Sequence, residues 1–378
     1  MHRFSAILPA FTLACFGGAM AIGSPQQPSS SQPSGAGPYK VVKTVKVGGL
    51  GGFDYIFADV DGRRLYIPRG AVPGTTPVPA RVTVFDLDTL APAGEIPDTR
   101  ANGAAVDTQS GHGFASSKPV AMWDTKTLKV IKTIDVQGNP DGILADPFNH
   151  RVYVFSHAVP HTTVIDAKDG SVLGTIDLGG APEQAATDER GHIYVDVADK
   201  ANVAVIDAKT MTVTAHYDLG DKGSALAGLA LDVKNQVLFV ACRNSGTPQP
   251  GAAAQPVMVI LNATNGKIIT TLPLAGGSDG AVFNPATMEA FSTHGNGTLT
   301  IVKENSPTSF DVEQNLQTMT GAKTLTLDTK TNHVLTMAAE YGPVPAPATP
   351  PAAGAPAGRG PARGPMIPDS FSILVVGK

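Results

Sequence analysis

Seven positions set the plan of this chain: Asp59, Asp107, Asp146, Asp188, Asp232, Asn284 and Asp328, spaced by 48, 39, 42, 44, 52 and 44 residues. Each closes a short apolar run and is followed by a tight turn and a second run such as LYI or VYV. After a variable gap comes a V-x-V-x-D run, then a four-residue turn and a V-x-x-T-I run. The clearest copies are residues 139–178 and 181–219. Four alternating runs separated by Asp, Asn and Gly turns read as four antiparallel strands. Units of roughly 40–45 residues with four strands each are the sequence signature of propeller blades. Nothing resembles the end cap that a solenoid needs. The repeat therefore predicts an all-β, seven-bladed β-propeller over residues 39–378. The seventh copy supplies SFSILVV (370–376) as a third strand and then stops, while YKVVKTVKV (39–47) precedes the first copy. The N-terminal strand is expected to complete the last blade and so remove the open edges.

The ends and the biased stretches define what surrounds this domain. His2 and Arg3 lead an apolar run from Phe4 to Met20 that exits through Ala19-Met20-Ala21. This reads as an export signal over residues 1–21, too short to span a bilayer, and predicts a periplasmic or secreted protein. Acylation at Cys15, after Thr12-Leu13-Ala14, is the lipoprotein alternative. Residues 22–38 are Pro/Ser-rich and read as a disordered tether; residues 342–368 are rich in Pro, Ala and Gly and read as a disordered loop within the last blade. Cleavage after Ala21 leaves Cys242 as the one cysteine, which excludes an intramolecular disulfide. It also removes Arg3 and moves the formal charge from −4 to −5, a balance that gives no footprint for nucleic acid. No later segment is apolar and long enough to cross a membrane as a helix, and a monomer is expected.

Tyr153-Val154-Phe155-Ser156 with Val164-Ile165-Asp166, and Tyr194-Val195-Asp196 with Val205-Ile206-Asp207, resemble the YVTN/YncE-like repeat of exported bacterial propellers. The asparagine of that motif is missing: its slots hold Arg69, Ser116, Ser156, Val197, Cys242, His294 and Ala338. The resemblance implies a binding scaffold and no particular reaction.

In a propeller the first strand of each blade lines the channel, so equivalent positions form rings. Five residues before each anchor stand Asp54, Asn102, Asp141, Glu183, Ala227, Asp279 and Lys323. The next slot holds Tyr55, Gly103, Gly142, Gln184, Gly228, Gly280 and Thr324; four glycines there predict backbones brought close together where the channel narrows. Converging carboxylates would repel one another, raise some pKa values or recruit a cation. Asp54, Asp141, Glu183 and Asp279 are accordingly the candidate ligands of a divalent ion such as Ca²⁺. A water-filled entrance whose acids bond neighbouring backbones is the plain alternative. The long gaps, at 69–80, 244–256 and 342–368, all join second to third strands and so share the face of this ring. The ends of the second strands add a weaker rim of Arg69, His157, Arg243, His294 and Glu340.

Other signals carry less. His157 and His161 lie in a Val-Pro loop, where helical spacing has no meaning. Gly48–Gly52 runs into a strand and offers no helix to a phosphate, and Asp59-Val60-Asp61-Gly62 reads as a hairpin turn. Trp123 and Cys242 read as packing residues, with Trp123 between blades. The one G-x-S-x-G string, Gly276-Gly277-Ser278-Asp279-Gly280, falls on the inner run of a repeat and makes no strand-to-helix nucleophile elbow, and no C-x-x-C-H is present. Two functions follow: a non-catalytic binding protein for a small polar or cationic ligand or a protein partner, or a Ca²⁺-dependent hydrolase, lactonase-like, on the same carboxylates.

Overall fold

The computed structural model describes residues 37–246, 253–344 and 364–378. The signal at 1–21, the tether up to residue 36 and the central part of the Pro/Ala loop lie outside the described residues. Seven four-stranded antiparallel sheets form the blades of a propeller, as the repeat predicts. No helix among the described residues is long and apolar enough to cross a membrane.

The innermost strands are Phe57–Asp59, Ala101–Asp107, Pro140–Asp146, Pro182–Thr187, Ser224–Asp232, Ser278–Asn284 and Leu325–Asp328, in blades one to seven. Each touches the next, and the seventh touches the first, so the ring is closed. The recurrent anchor residue has two jobs. One side-chain oxygen caps the turn that follows: Asp59 accepts from the Gly62 amide at 2.9 Å, Asp107 from Ser110 at 2.8 Å and Asn284 from Ala286 at 3.0 Å. A carboxylate in this place can also reach the following blade. Asp107 meets His150 at 2.9 Å, Asp146 accepts from Thr187 Oγ1 at 2.8 Å, and Asp328 holds Arg63 through two 2.8 Å bonds. A short polar side chain is required by the turn, and a charged one welds the ring.

Apolar packing between blades supplies the core. Trp123 is fully buried with Tyr66, Val82, Val84 and Ile96 of the preceding blade, its ring 5.7 Å from that of Tyr66. Gly113 pairs with Trp123 across the sheet, and a Cβ added there would sit 2.2 Å from the indole. Gly113→Ala is expected to lower stability by about 2 kcal/mol through overpacking, read as a shifted urea midpoint. Cys242 is buried in the apolar cluster between blades four and five, and burial pushes its thiol pKa up.

The last blade runs Lys40–Lys46, Ser372–Gly377, His333–Ala338 and Leu325–Asp328 from rim to channel. Tyr39, just before its outer strand, exchanges two 2.9 Å bonds with Gln314 of blade six and packs edge-on against Phe291 at 5.3 Å. Its hydroxyl donates to Glu289, which also receives Lys378 Nζ at 2.8 Å. Tyr39 and Lys378 therefore grip one buried carboxylate. The stem of the 342–368 segment is paired: Tyr341 bridges Met366, and the Gly342 amide donates to the Pro365 carbonyl at 2.8 Å.

Candidate functional site

The ladder between first and second strands slips at one place in five blades: between Ala101 and Ala104, Pro140 and Ile143, Pro182 and Ala185, Leu226 and Gly228, and Ser278 and Ala281. The slip falls on the two slots that the sequence singles out. A bulge re-aims side chains, and here it turns Asn102, Asp141, Glu183 and Asp279 toward the channel mouth. In blades one and seven the equivalent Asp54 and Lys323 precede a shortened inner strand.

The second slot closes the floor. A Cβ on Gly228 would lie 2.8 Å from the Gly280 carbonyl carbon, and one on Gly142 would lie 2.7 Å from the Glu183 oxygen. These glycines let neighbouring backbones approach as expected, and the two large residues of the slot fill the middle. Tyr55 crosses from blade one to donate to the Glu183 carbonyl of blade four at 3.0 Å. Gln184 reaches blades five and six, accepting from the Leu229 and Ala281 amides at 3.0 Å each and donating to the Ala281 carbonyl at 3.0 Å. Asp196 fixes this bulge by accepting from the Gln184 amide at 2.6 Å and the Glu183 amide at 3.2 Å. Burial pushes its carboxyl up to about 7.

Above this floor lies a pocket of about 830 Å³ whose wall includes Asp54, Asp141, His157, Glu183, Arg243, Asp279 and Lys323. Its charges sort into two groups. Lys323 Nζ lies 2.9 Å from Asp54 and 2.5 Å from Asp279, and Arg243 also binds Asp279. Burial raises the Asp54 pKa against the pull of Lys323. Lys323 is itself half-buried, which works against its charge, but the two carboxylates prevail and raise its pKa. On the other side His157 Nε2 faces Asp141 Oδ2 at 3.2 Å and Glu183 Oε1 at 3.7 Å. The first contact is poorly aligned and the second too long for a hydrogen bond, so charge attraction holds the imidazole there. Asp141 first and Glu183 second push the His157 pKa up to about 10 against the opposing effect of burial. Asn102 Nδ2 steadies Asp141 through Oδ1 at 2.6 Å.

The four carboxylates therefore do not form one repelling ring; three cations divide them. As a single four-carboxylate ion site the set does not come together, because Asp54 and Asp279 are already engaged by Lys323 and Arg243. Of the weaker rim set, His157 and Arg243 line the pocket. Arg69 does not reach it: buried, it donates to the carbonyls of Gly51 at 3.1 Å and Gly49 at 3.0 Å and stacks 3.7 Å over the Phe371 ring. Burial and then Arg81 lower its pKa to about 10. His294 is enclosed beside Thr300 at 3.0 Å, and burial lowers its pKa to about 3, so it stays neutral. Glu340 lines a separate, neighbouring cavity of about 620 Å³ with Met319, Tyr341 and Ile367. Tyr55, Gln184 and Asp196 are the residues that sequence reasoning missed; two stand in a slot that it had marked for its glycines alone.

No family model matches the chain, and no curated protein matches it in sequence. Among solved structures, the WD40 repeats of RRP9 align at TM-score 0.64 and 8% identity, covering 91% of this chain and 99% of that one. Hydrazine synthase of Kuenenia stuttgartiensis aligns at TM-score 0.63 and 18% identity, covering 76% and 92%. A chain of the mitotic checkpoint complex aligns at TM-score 0.63 and 11% identity, covering 86% and 96%. At such identities the likeness concerns fold alone, and it places this chain among the β-propellers built of repeated four-stranded blades.

Proposed function

We propose that this propeller is an exported binding protein of YVTN-like type that takes up a small, neutral, hydroxyl-rich ligand at the mouth of its channel. The observation that carries this reading is the blind pocket itself. Tyr55 and Gln184 close its floor, and its wall carries carboxylates and cations that are already paired. A strongly cationic ligand would have to compete with Lys323, Arg243 and His157 for the same acids. A polyol pays no such cost, since its hydroxyls donate to the carboxylates and accept from Lys323 and Arg243. The Ca²⁺-dependent hydrolase reading has less support: it needs six to eight oxygens around the ion, and two of its four carboxylates face a lysine and an arginine.

The test is a thermal-shift and calorimetric screen of neutral sugars and polyols at millimolar concentration, with spermidine as the cationic probe. A sugar or polyol is expected to stabilise the wild-type chain, and about tenfold weaker binding is expected in Arg243→Ala, the loss of one charge-assisted bond. Stabilisation by spermidine alone, or by none of the probes, overturns the reading.

A further inference from the structure

Asp141, His157 and Glu183 stand apart from the rest of the mouth in chemistry. Their donor atoms, one imidazole nitrogen and one oxygen from each carboxylate, all lie within 4.8 Å of one another. A divalent first-row ion with bonds of about 2.1 Å sets its ligand atoms about 3.0 Å apart in octahedral and about 3.4 Å apart in tetrahedral geometry. The two nitrogen–oxygen separations of 3.2 and 3.7 Å sit beside those values without rearrangement of the backbone. His157 Nε2 is out of reach of solvent, yet it makes no aligned hydrogen bond. A ring nitrogen at ion-pair distance from two carboxylates, with no aligned hydrogen bond to either, sets one nitrogen and two oxygens around a common point.

The surroundings are those of a ligand set held in place. Asn102 holds Asp141 Oδ1 at 2.6 Å, while Oδ2, the atom facing His157, receives a long 3.5 Å contact from the Tyr55 hydroxyl. Tyr55 binds the Glu183 carbonyl at 3.0 Å, and Asp196 accepts from the Glu183 amide at 3.2 Å, so both ends of that residue's peptide are fixed. The His157 amide donates to the Asn139 carbonyl at 3.3 Å. Such outer contacts orient metal ligands and are felt in affinity when removed. All three side chains line the 830 Å³ pocket, so remaining coordination positions would open into it.

We propose that Asp141, His157 and Glu183 form a site for a divalent transition-metal ion on one wall of the channel mouth. One nitrogen and two oxygens suit ions of the Zn²⁺ and Mn²⁺ class, while Ca²⁺ would lack oxygens and gain an unwanted imidazole. The assignment goes beyond the binding function proposed above and does not depend on it: a polyol can fail to bind while the metal binds, and the reverse.

Calorimetry on the chelator-stripped protein, titrated with Zn²⁺, Mn²⁺ and Ca²⁺, tests this, with Co²⁺ absorption reporting the ligand geometry. The expected result is one Zn²⁺ or Mn²⁺ per chain, a visible Co²⁺ band and no comparable Ca²⁺ binding. Affinity is expected to fall about 100-fold or more in His157→Ala and in the isosteric Glu183→Gln, and about 10-fold or more in Asn102→Ala. Asp279→Asn, in the other half of the mouth, is expected to leave it unchanged. No stoichiometric binding to wild type would mean an imidazolium ion pair and nothing more. Equal binding by wild type and Glu183→Gln would mean a metal held elsewhere. Either result overturns the assignment.

Discussion

A chain lacking residues 1–46 is expected to be less stable than one beginning at Gly37 by on the order of 5 kcal/mol, a large part of the stability of an ordinary domain. The strand Lys40–Lys46 pairs along Ser372–Gly377, and its loss leaves that central strand as an open edge. Tyr39 goes with it, which uncovers Phe291 and removes both bonds to Gln314. Glu289, fully buried, then retains Lys378 at 2.8 Å but loses the tyrosine hydroxyl. Equilibrium unfolding in urea is the measurement, together with size-exclusion chromatography, because an exposed edge invites pairing between chains. Matching midpoints for the two chains would show that the ring does not depend on this closure.

The second expectation concerns pH. Glu304 of blade six is buried and receives Asn235 Nδ2 of blade five on Oε1 at 2.7 Å. Its other oxygen has no partner, and neither does the second oxygen of buried Asp232, the acid it faces. One proton shared between the two carboxyl groups satisfies both atoms. Burial first, with Asp232 adding to it against the bond from Asn235, pushes Glu304 up from 4.5 to about 7. The folded state thus keeps this proton to about pH 7, whereas the unfolded chain gives it up near pH 4.5. Stability from this group is present below pH 4.5, declines between about 4.5 and 7, and is level above that; the interval corresponds to about 3 kcal/mol. In Glu304→Gln the amide donates to Asp232 at every pH. The variant is expected to match wild type near pH 5 and exceed it at pH 8 by up to about 3 kcal/mol. Urea midpoints at the two pH values decide the matter, and a variant with the wild-type slope would refute the shared proton.

The turn anchors show why the fold could be read from the chain. Asp59 and its equivalents recur because a hairpin turn needs a short acceptor at that position, a local demand that leaves a local mark. The ring slots were legible for a related reason: five residues before each anchor is a fixed place on a fixed strand. Lys323 was placed in the correct slot, but its pairing with both Asp54 and Asp279 depends on closure, which makes blades six, seven and one neighbours across 269 and 44 residues of chain. His157 follows a regular strand and enters a loop of irregular length, so no period predicts that it turns toward Asp141. Arg69 and His294 look like exposed loop residues by position. Burial of Arg69 follows from the carbonyls of Gly49 and Gly51 folding over it, a contact that the repeat does not encode. Tyr55 and Gln184 were hidden by the glycines beside them, since the room that a small residue leaves says nothing about which side chain fills it.

The grip of Tyr39 and Lys378 on Glu289 has a geometric consequence. Lys40 pairs with Gly377 and Lys46 with Ser372, so the outer strand starts at the side of the disc away from the pocket and runs toward it. The polypeptide enters at Tyr39 and leaves at Lys378 on the same underside. Whatever holds the described propeller at Tyr39 or Lys378, a surface, a resin or a fused domain, would lie on the side opposite the pocket. Immobilised through a tag at residue 37 or 378, the molecule would turn its pocket face away from the support in a uniform orientation.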